Sequence, residues 1–101
     1  MNVAILLFEE FETLDVFGPV EIFGRLKDRY KVAFYSMTGG LVKNSHGVSI
    51  LTENMEKIEN GVDIFLIPGG YGTRIEVNNP ELIDKIRTIF QLSKFVLTVC
   101  T

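Results

Sequence analysis

A single cysteine among 101 residues closes an apolar run: Phe95-Val96-Leu97-Thr98-Val99 leads into Cys100 and then Thr101. A buried strand that stops at a lone cysteine has the form of half a nucleophile elbow, the sharp strand-to-helix turn that presents a catalytic side chain. The reactive form is the thiolate, and a helix N-terminus directly behind it would lower the thiol pKa through its aligned peptide dipoles. The competing reading is a free cysteine acting as a small, buried, inert hydrophobe. Two further groups could serve such a nucleophile. After Pro68, Gly69 and Gly70 can turn the chain so that a backbone N–H points into a cavity and stabilises a developing oxyanion. A turn that needs positive φ accounts for the same glycines. Asp15 stands among Leu14, Val16 and Phe17 near a helix start. A carboxyl in apolar company beside a thiolate keeps its proton and serves as donor or general acid. Capping or a dipole interaction is the plainer role for a lone carboxylate there.

His46, the only histidine, falls in the turn Asn44-Ser45-His46-Gly47 and reads as solvated. Glu9, Glu10 and Glu12 read as a solvated acidic loop. No Cys/His or Asp/Glu cluster has metal-ligand spacing. Gly70-x-Gly72 lacks the spacing of a dinucleotide fingerprint, and no lysine follows it as in a phosphate loop. No cofactor is expected, since a thiolate and one carboxyl supply both nucleophile and proton.

The elements that must position these groups follow from the hydrophobic pattern. Residues 3–8 and 62–67 are short apolar runs, the pattern of strands buried on both faces in a parallel sheet. Val16, Val20 and Phe23 mark one helical face, and Pro19, which cannot donate to position 15, predicts a helix that starts near Gly18 or is kinked there. Residues 30–37 read as a strand. Residues 41–43 and 48–51 read as a small hairpin, with a short helix within 53–60. Asn79 as N-cap and Pro80 at the first position start an amphipathic helix carrying Leu82, Ile83, Ile86, Ile89 and Phe90. Ser93-Lys94 ends it before the last strand. Strands alternating with helices predict an α/β layer with a mainly parallel sheet, in which ligands bind beyond the carboxyl ends of the strands.

Composition bounds the function. Hydrophobic residues make up 47% and charged residues 23%, which is ordinary for a globular domain. Net charge is −3 and the ten Lys and Arg are scattered singly, so direct nucleic-acid binding is not expected. One cysteine forms no internal disulfide, which fits a reducing cytoplasm. The N-terminus runs from Leu7-Phe8 into Glu9-Glu10 without a basic region, unlike a signal peptide, and no apolar run reaches the roughly 20 residues of a membrane helix.

Taken together, Leu14-Asp15-Val16-Phe17-Gly18-Pro19-Val20-Glu21-Ile22-Phe23, Ile67-Pro68-Gly69-Gly70 and Val99-Cys100-Thr101 resemble the DJ-1/PfpI superfamily, the class I glutamine-amidotransferase-like fold. The resemblance runs along the whole chain. It implies a flavodoxin-like three-layer sandwich of which residues 1–101 form the N-terminal half of a single domain, truncated at the nucleophile elbow. It also implies Cys100 as nucleophile, Asp15 as acid/base partner, Thr101 as the group that orients Asp15, and the amides of Gly70 and Thr101 as an anion cradle. PfpI-like proteases carry histidine after the nucleophile; Thr101 stands there instead and argues against proteolysis. Leu-Asp with Cys-Thr is most similar to the isocyanide hydratase branch and equally to the sensor domains of AraC-type regulators. Either way the implied partner is a small molecule, with a homodimer as the common assembly. Redox sensing through Cys100 is a third possibility. Without the strands that follow in such a domain, the sheet is expected to expose an apolar edge.

Overall fold

The first strand, β1 (Asn2–Leu6), is buried on both faces because its side chains alternate between two cores. Val3 and Ile5, with Leu7 just beyond, enter one cluster; Ala4 and Leu6 enter the other. The computed structural model describes residues 1–99, and in it β1 is followed by helix α1 (Thr13–Arg25), β2 (Lys31–Ser36), β3 (Gly40–Lys43), β4 (Ser49–Asn54), a 3-10 turn (Met55–Ile58), β5 (Ile64–Pro68), a short helix α2 (Thr73–Glu76), α3 (Pro80–Leu92) and β6 (Phe95–Val99). The six strands lie in the order β3-β4-β2-β1-β5-β6. All neighbours pair in parallel except the β3–β4 hairpin, which is antiparallel. This is the mainly parallel α/β sheet expected from the alternating pattern, in a flavodoxin-like arrangement.

Helix α1 does not start near Gly18, the first of the two outcomes that Pro19 predicts. It begins at Thr13, five residues before Gly18, and carries Pro19 in its interior. The proline leaves the Asp15 carbonyl without its usual intrahelical donor, a cost that propensity alone would not repay. Tertiary packing repays it. Val16 is fully buried, and Phe17, Val20 and Phe23 pack on the cluster above β1 and β2. Two aromatic pairs fasten the same face: Phe17 with Phe34 at 6.3 Å between ring centroids, and Phe23 edge-on to Tyr30 at 4.9 Å.

Helix α3 starts as its sequence requires, with the Asn79 side chain accepting from the Leu82 amide and Pro80 in the first turn. Leu82 and Ile89 pack against Phe65, Ala4 and Leu6 on the face opposite α1. The four-residue α2 has too few residues to show a period in the sequence. At the opposite end of the sheet from the strand termini, the Asp63 carboxylate accepts from the Asn2 amide at 2.7 Å and meets Lys94 at 3.2 Å. Those contacts, the backbone amide first, hold its carboxyl below the usual carboxylate range.

Strand β6 is the last of the described sheet, and on its α1-side face Phe95 is 59% and Leu97 42% exposed. The strand carries no charge or proline to discourage pairing, and it forms the apolar edge that the family resemblance implies. No helix among the described residues is long and apolar enough to cross a membrane.

Candidate functional site at the strand termini

Adjacent strands β1 and β5 send their following segments to opposite faces, α1 to one and α3 to the other. That is a topological switch point, where open α/β sheets form a ligand crevice. The two loops that meet there are the stretch from Leu7 to Glu12 and the stretch from Gly69 to Gly72.

They are laced together through the backbone. The Glu12 amide donates to the Gly69 carbonyl at 3.0 Å, and the Gly72 amide to the Glu10 carbonyl at 3.3 Å. Contact is so close that a methyl group on Gly72 would lie 1.9 Å from the Glu9 carbonyl oxygen. Gly70 adopts φ +125°, and a methyl group there would sit 2.6 Å from the Glu12 nitrogen. The glycines after Pro68 therefore permit both a positive φ and the approach of one loop to the other.

Asp15 is drawn into this junction. It lies in the first turn of α1, is 4% exposed, and its Oδ2 accepts the Gly69 amide at 3.1 Å. The carboxyl thus ties α1 to the loop after β5, 54 residues along the chain, rather than capping its own helix. The N-cap residue of α1, Glu12, makes no side-chain cap bond. The structure joins Asp15 to Gly69, two of the expected site residues. The Gly69 amide is occupied by that contact. Gly70 follows it in the same turn. Cys100 and Thr101 lie outside the described residues; Val99, the last of β6, is paired with Pro68, the residue before Gly69.

The acidic stretch is more than a solvated loop. The Glu9 and Glu10 side chains are exposed, but Phe11 between Glu10 and Glu12 is fully buried. Glu10 takes φ +63°, the only left-handed non-glycine among the described residues. Its amide donates to the Lys43 carbonyl at 2.8 Å while its carbonyl receives Gly72, so both sides hold it in place. Left-handed backbone costs a non-glycine residue about 1–2 kcal/mol, and glycine returns about 0.5–1 kcal/mol of that as unfolded-state entropy. Glu10→Gly is accordingly expected to raise stability by about 0.5–1 kcal/mol, measured by urea denaturation; a loss of stability would show that the Glu10 side chain contributes more than its strain removes.

His46 is exposed in its turn, as expected. No group of His, Cys, Asp or Glu among the described residues could hold a metal ion. A cavity of about 190 Å³ opens beside the junction, lined by Phe8, Glu9, Ser36, Gly39, Leu41 and Asn79 among others. It shares the β1 loop with the Asp15 contact, although neither Asp15 nor Gly69 lines it.

A doubly wound sheet with a buried carboxyl tied across its switch point defines a flavodoxin-like domain whose site lies at the strand termini. The DJ-1/PfpI family model matches residues 1–101, and the chain belongs to that family. It is 24% identical over 98 residues to the MG029 homologue of Mycoplasma pneumoniae, covering 95% of this chain and 90% of that protein. It is also 24% identical over 103 residues to isonitrile hydratase of Pseudomonas putida, covering all of this chain but 44% of the hydratase. Among solved structures it superimposes on a ThiJ/PfpI family protein from Pseudomonas syringae with a TM-score of 0.89 at 22% identity, over 98% of this chain and 41% of the other. An AraC family transcriptional regulator from Pseudomonas putida follows the same fold with a TM-score of 0.66 at 20% identity, over 85% of this chain and 48% of the other. The chain thus spans less than half of the hydratase and of both solved proteins.

Proposed function

We propose that the chain carries the nucleophile and the acid of a cysteine-dependent hydratase site acting on isocyanides. The observation that carries this reading is the buried Asp15 carboxyl, held by the Gly69 amide at the strand termini of a DJ-1/PfpI domain. Cys100 follows Val99, whose partner Pro68 directly precedes Gly69. The relationship to isonitrile hydratase supports the choice of substrate.

In this reaction the Cys100 thiolate attacks the terminal carbon of the isocyanide while the Asp15 carboxyl protonates that carbon, giving a covalent thioimidate and a carboxylate. An oxygen engaged by the Gly69 amide acts as acceptor, so the mobile proton belongs on the other carboxyl oxygen. The Asp15 carboxylate then takes a proton from water as the oxygen adds to the thioimidate carbon. Collapse of that adduct expels the thiolate, and the remaining hydroxyl proton passes to nitrogen. The product is an N-formyl amine, with thiolate and carboxyl restored. Water and isocyanide balance the product with no cofactor.

Asp15→Asn keeps an oxygen to accept the Gly69 amide but removes the transferable proton. It is expected to lower isocyanide turnover by about 10²–10⁴-fold in the whole gene product while the thermal midpoint changes little. Turnover equal to wild type would exclude Asp15 as the proton donor. A second reading, a ligand-sensing domain of a transcription regulator, is favoured by the fold shared with the AraC family protein. Calorimetric binding of a small molecule without its consumption, in a gene product that continues into a helix-turn-helix region, would select it.

A further inference from the structure

The β3–β4 hairpin, whose turn reads as solvated from sequence, is joined to the acid-bearing end of α1. At its tip Asn44 is 4% exposed. The side-chain oxygen of Asn44 closes the hairpin turn, accepting the His46 amide at 2.9 Å and the Val48 amide at 2.8 Å. Its Nδ2 does something the turn does not require: it leaves the hairpin and donates to the Thr13 hydroxyl at 2.8 Å, 31 residues away. Thr13 is the first residue of α1, two before Asp15. Around this bond the Ser45 amide and hydroxyl both donate to the Phe11 carbonyl, at 3.2 and 3.0 Å, and the Glu10 amide donates to Lys43.

The hairpin itself is firmly seated. Thr52 on β4 donates its hydroxyl to the Gly40 carbonyl, which leaves the buried Ser36 hydroxyl on β2 as donor to Thr52 at 2.6 Å. A strut anchored on the sheet at one end therefore holds the first turn of α1 at the other. That turn needs an outside hold, because its N-cap residue supplies no side-chain bond and Pro19 removes the intrahelical donor for the Asp15 carbonyl.

We propose that Asn44 is a positioning residue for Asp15, acting through its bond to Thr13 to set the carboxyl where the thiol and substrate meet it. The inference rests on the proposed function, since a position is worth setting only if Asp15 does chemistry. Displacement of a reacting group by about 1 Å is enough to cost up to 100-fold in rate.

The test uses the whole gene product and two readouts: kcat and KM for an alkyl isocyanide, and the rate of Cys100 alkylation by iodoacetamide across pH. Asp15→Asn supplies the reference. Asn44→Ala and Thr13→Val are expected to move the alkylation midpoint in the same direction as Asp15→Asn and to lower kcat about tenfold or more with KM nearly unchanged. Thr13→Ser, which restores the hydroxyl, is expected to return both. If Asn44→Ala does not fold, the Thr13 pair decides. A Thr13→Val protein with a lowered melting temperature but wild-type midpoint and kcat overturns the positioning role while leaving the hydratase reading standing. If Asp15→Asn itself moves neither readout, the hydratase reading fails and this inference falls with it.

Discussion

Cys100→Ala is expected to reduce isocyanide turnover by about 10³-fold or more while leaving the secondary structure intact. In the proposed reaction the thiolate forms the first bond to carbon, and alanine offers no substitute for it. Losses of this order or greater accompany removal of a covalent nucleophile elsewhere. The replacement is small and sits after a strand whose hydrogen bonds to β5 involve the backbone alone, so the sheet has no reason to change. Initial rates by loss of isocyanide, paired with far-ultraviolet circular dichroism, make the measurement. Turnover within tenfold of wild type in a folded Cys100→Ala protein would remove cysteine catalysis from the account, and the sensor reading would take its place.

Gly70→Ala is expected to destabilise the protein by about 3 kcal/mol or more, among the larger effects a single methyl group can have. The added carbon would stand 2.6 Å from the Glu12 nitrogen and 2.8 Å from the Glu10 carbonyl oxygen, both of them backbone atoms that cannot rotate away. The φ of +125° adds strain for any side chain. Relief requires the two loops to separate, which would weaken the Glu12–Gly69 and Gly69–Asp15 bonds together. With domains of this size commonly stable by about 5–15 kcal/mol, the variant should still fold in the cold and unfold at clearly lower urea. A denaturation midpoint equal to wild type would mean that the loops part at little cost and that Asp15 is held from elsewhere.

Of the fold, the parts that were legible are those written in local patterns. The apolar runs of β1 and β5 and the Asn79-Pro80 start of α3 announced themselves because burial on two faces and capping are properties of neighbouring residues. The N-terminus of α1 was only half legible, because Pro19 left open a start near Gly18 or a helix kinked there. Pro19 gives a strong local signal against a helix through position 15, and only the burial of Val16 with Phe17, Val20 and Phe23 outweighs it. Phe11 and Asn44 escaped for a related reason. Each sits among polar residues, and what buries them is the meeting of the hairpin with the β1 loop, a contact between segments more than 30 residues apart.

By itself the sequence determined that strands and helices alternate, that one thiol follows an apolar strand, and that a carboxyl and a glycine turn fall beyond strand ends. Only the tertiary structure decided that the Asp15 carboxyl spends an oxygen on the Gly69 amide, that Gly70 and Gly72 lie against the opposite loop, and that Asn44 reaches Thr13. The physical reason is range. Hydrophobic period and capping act within a few residues, whereas a hydrogen bond spanning 54 positions exists only once the sheet has brought β1 beside β5.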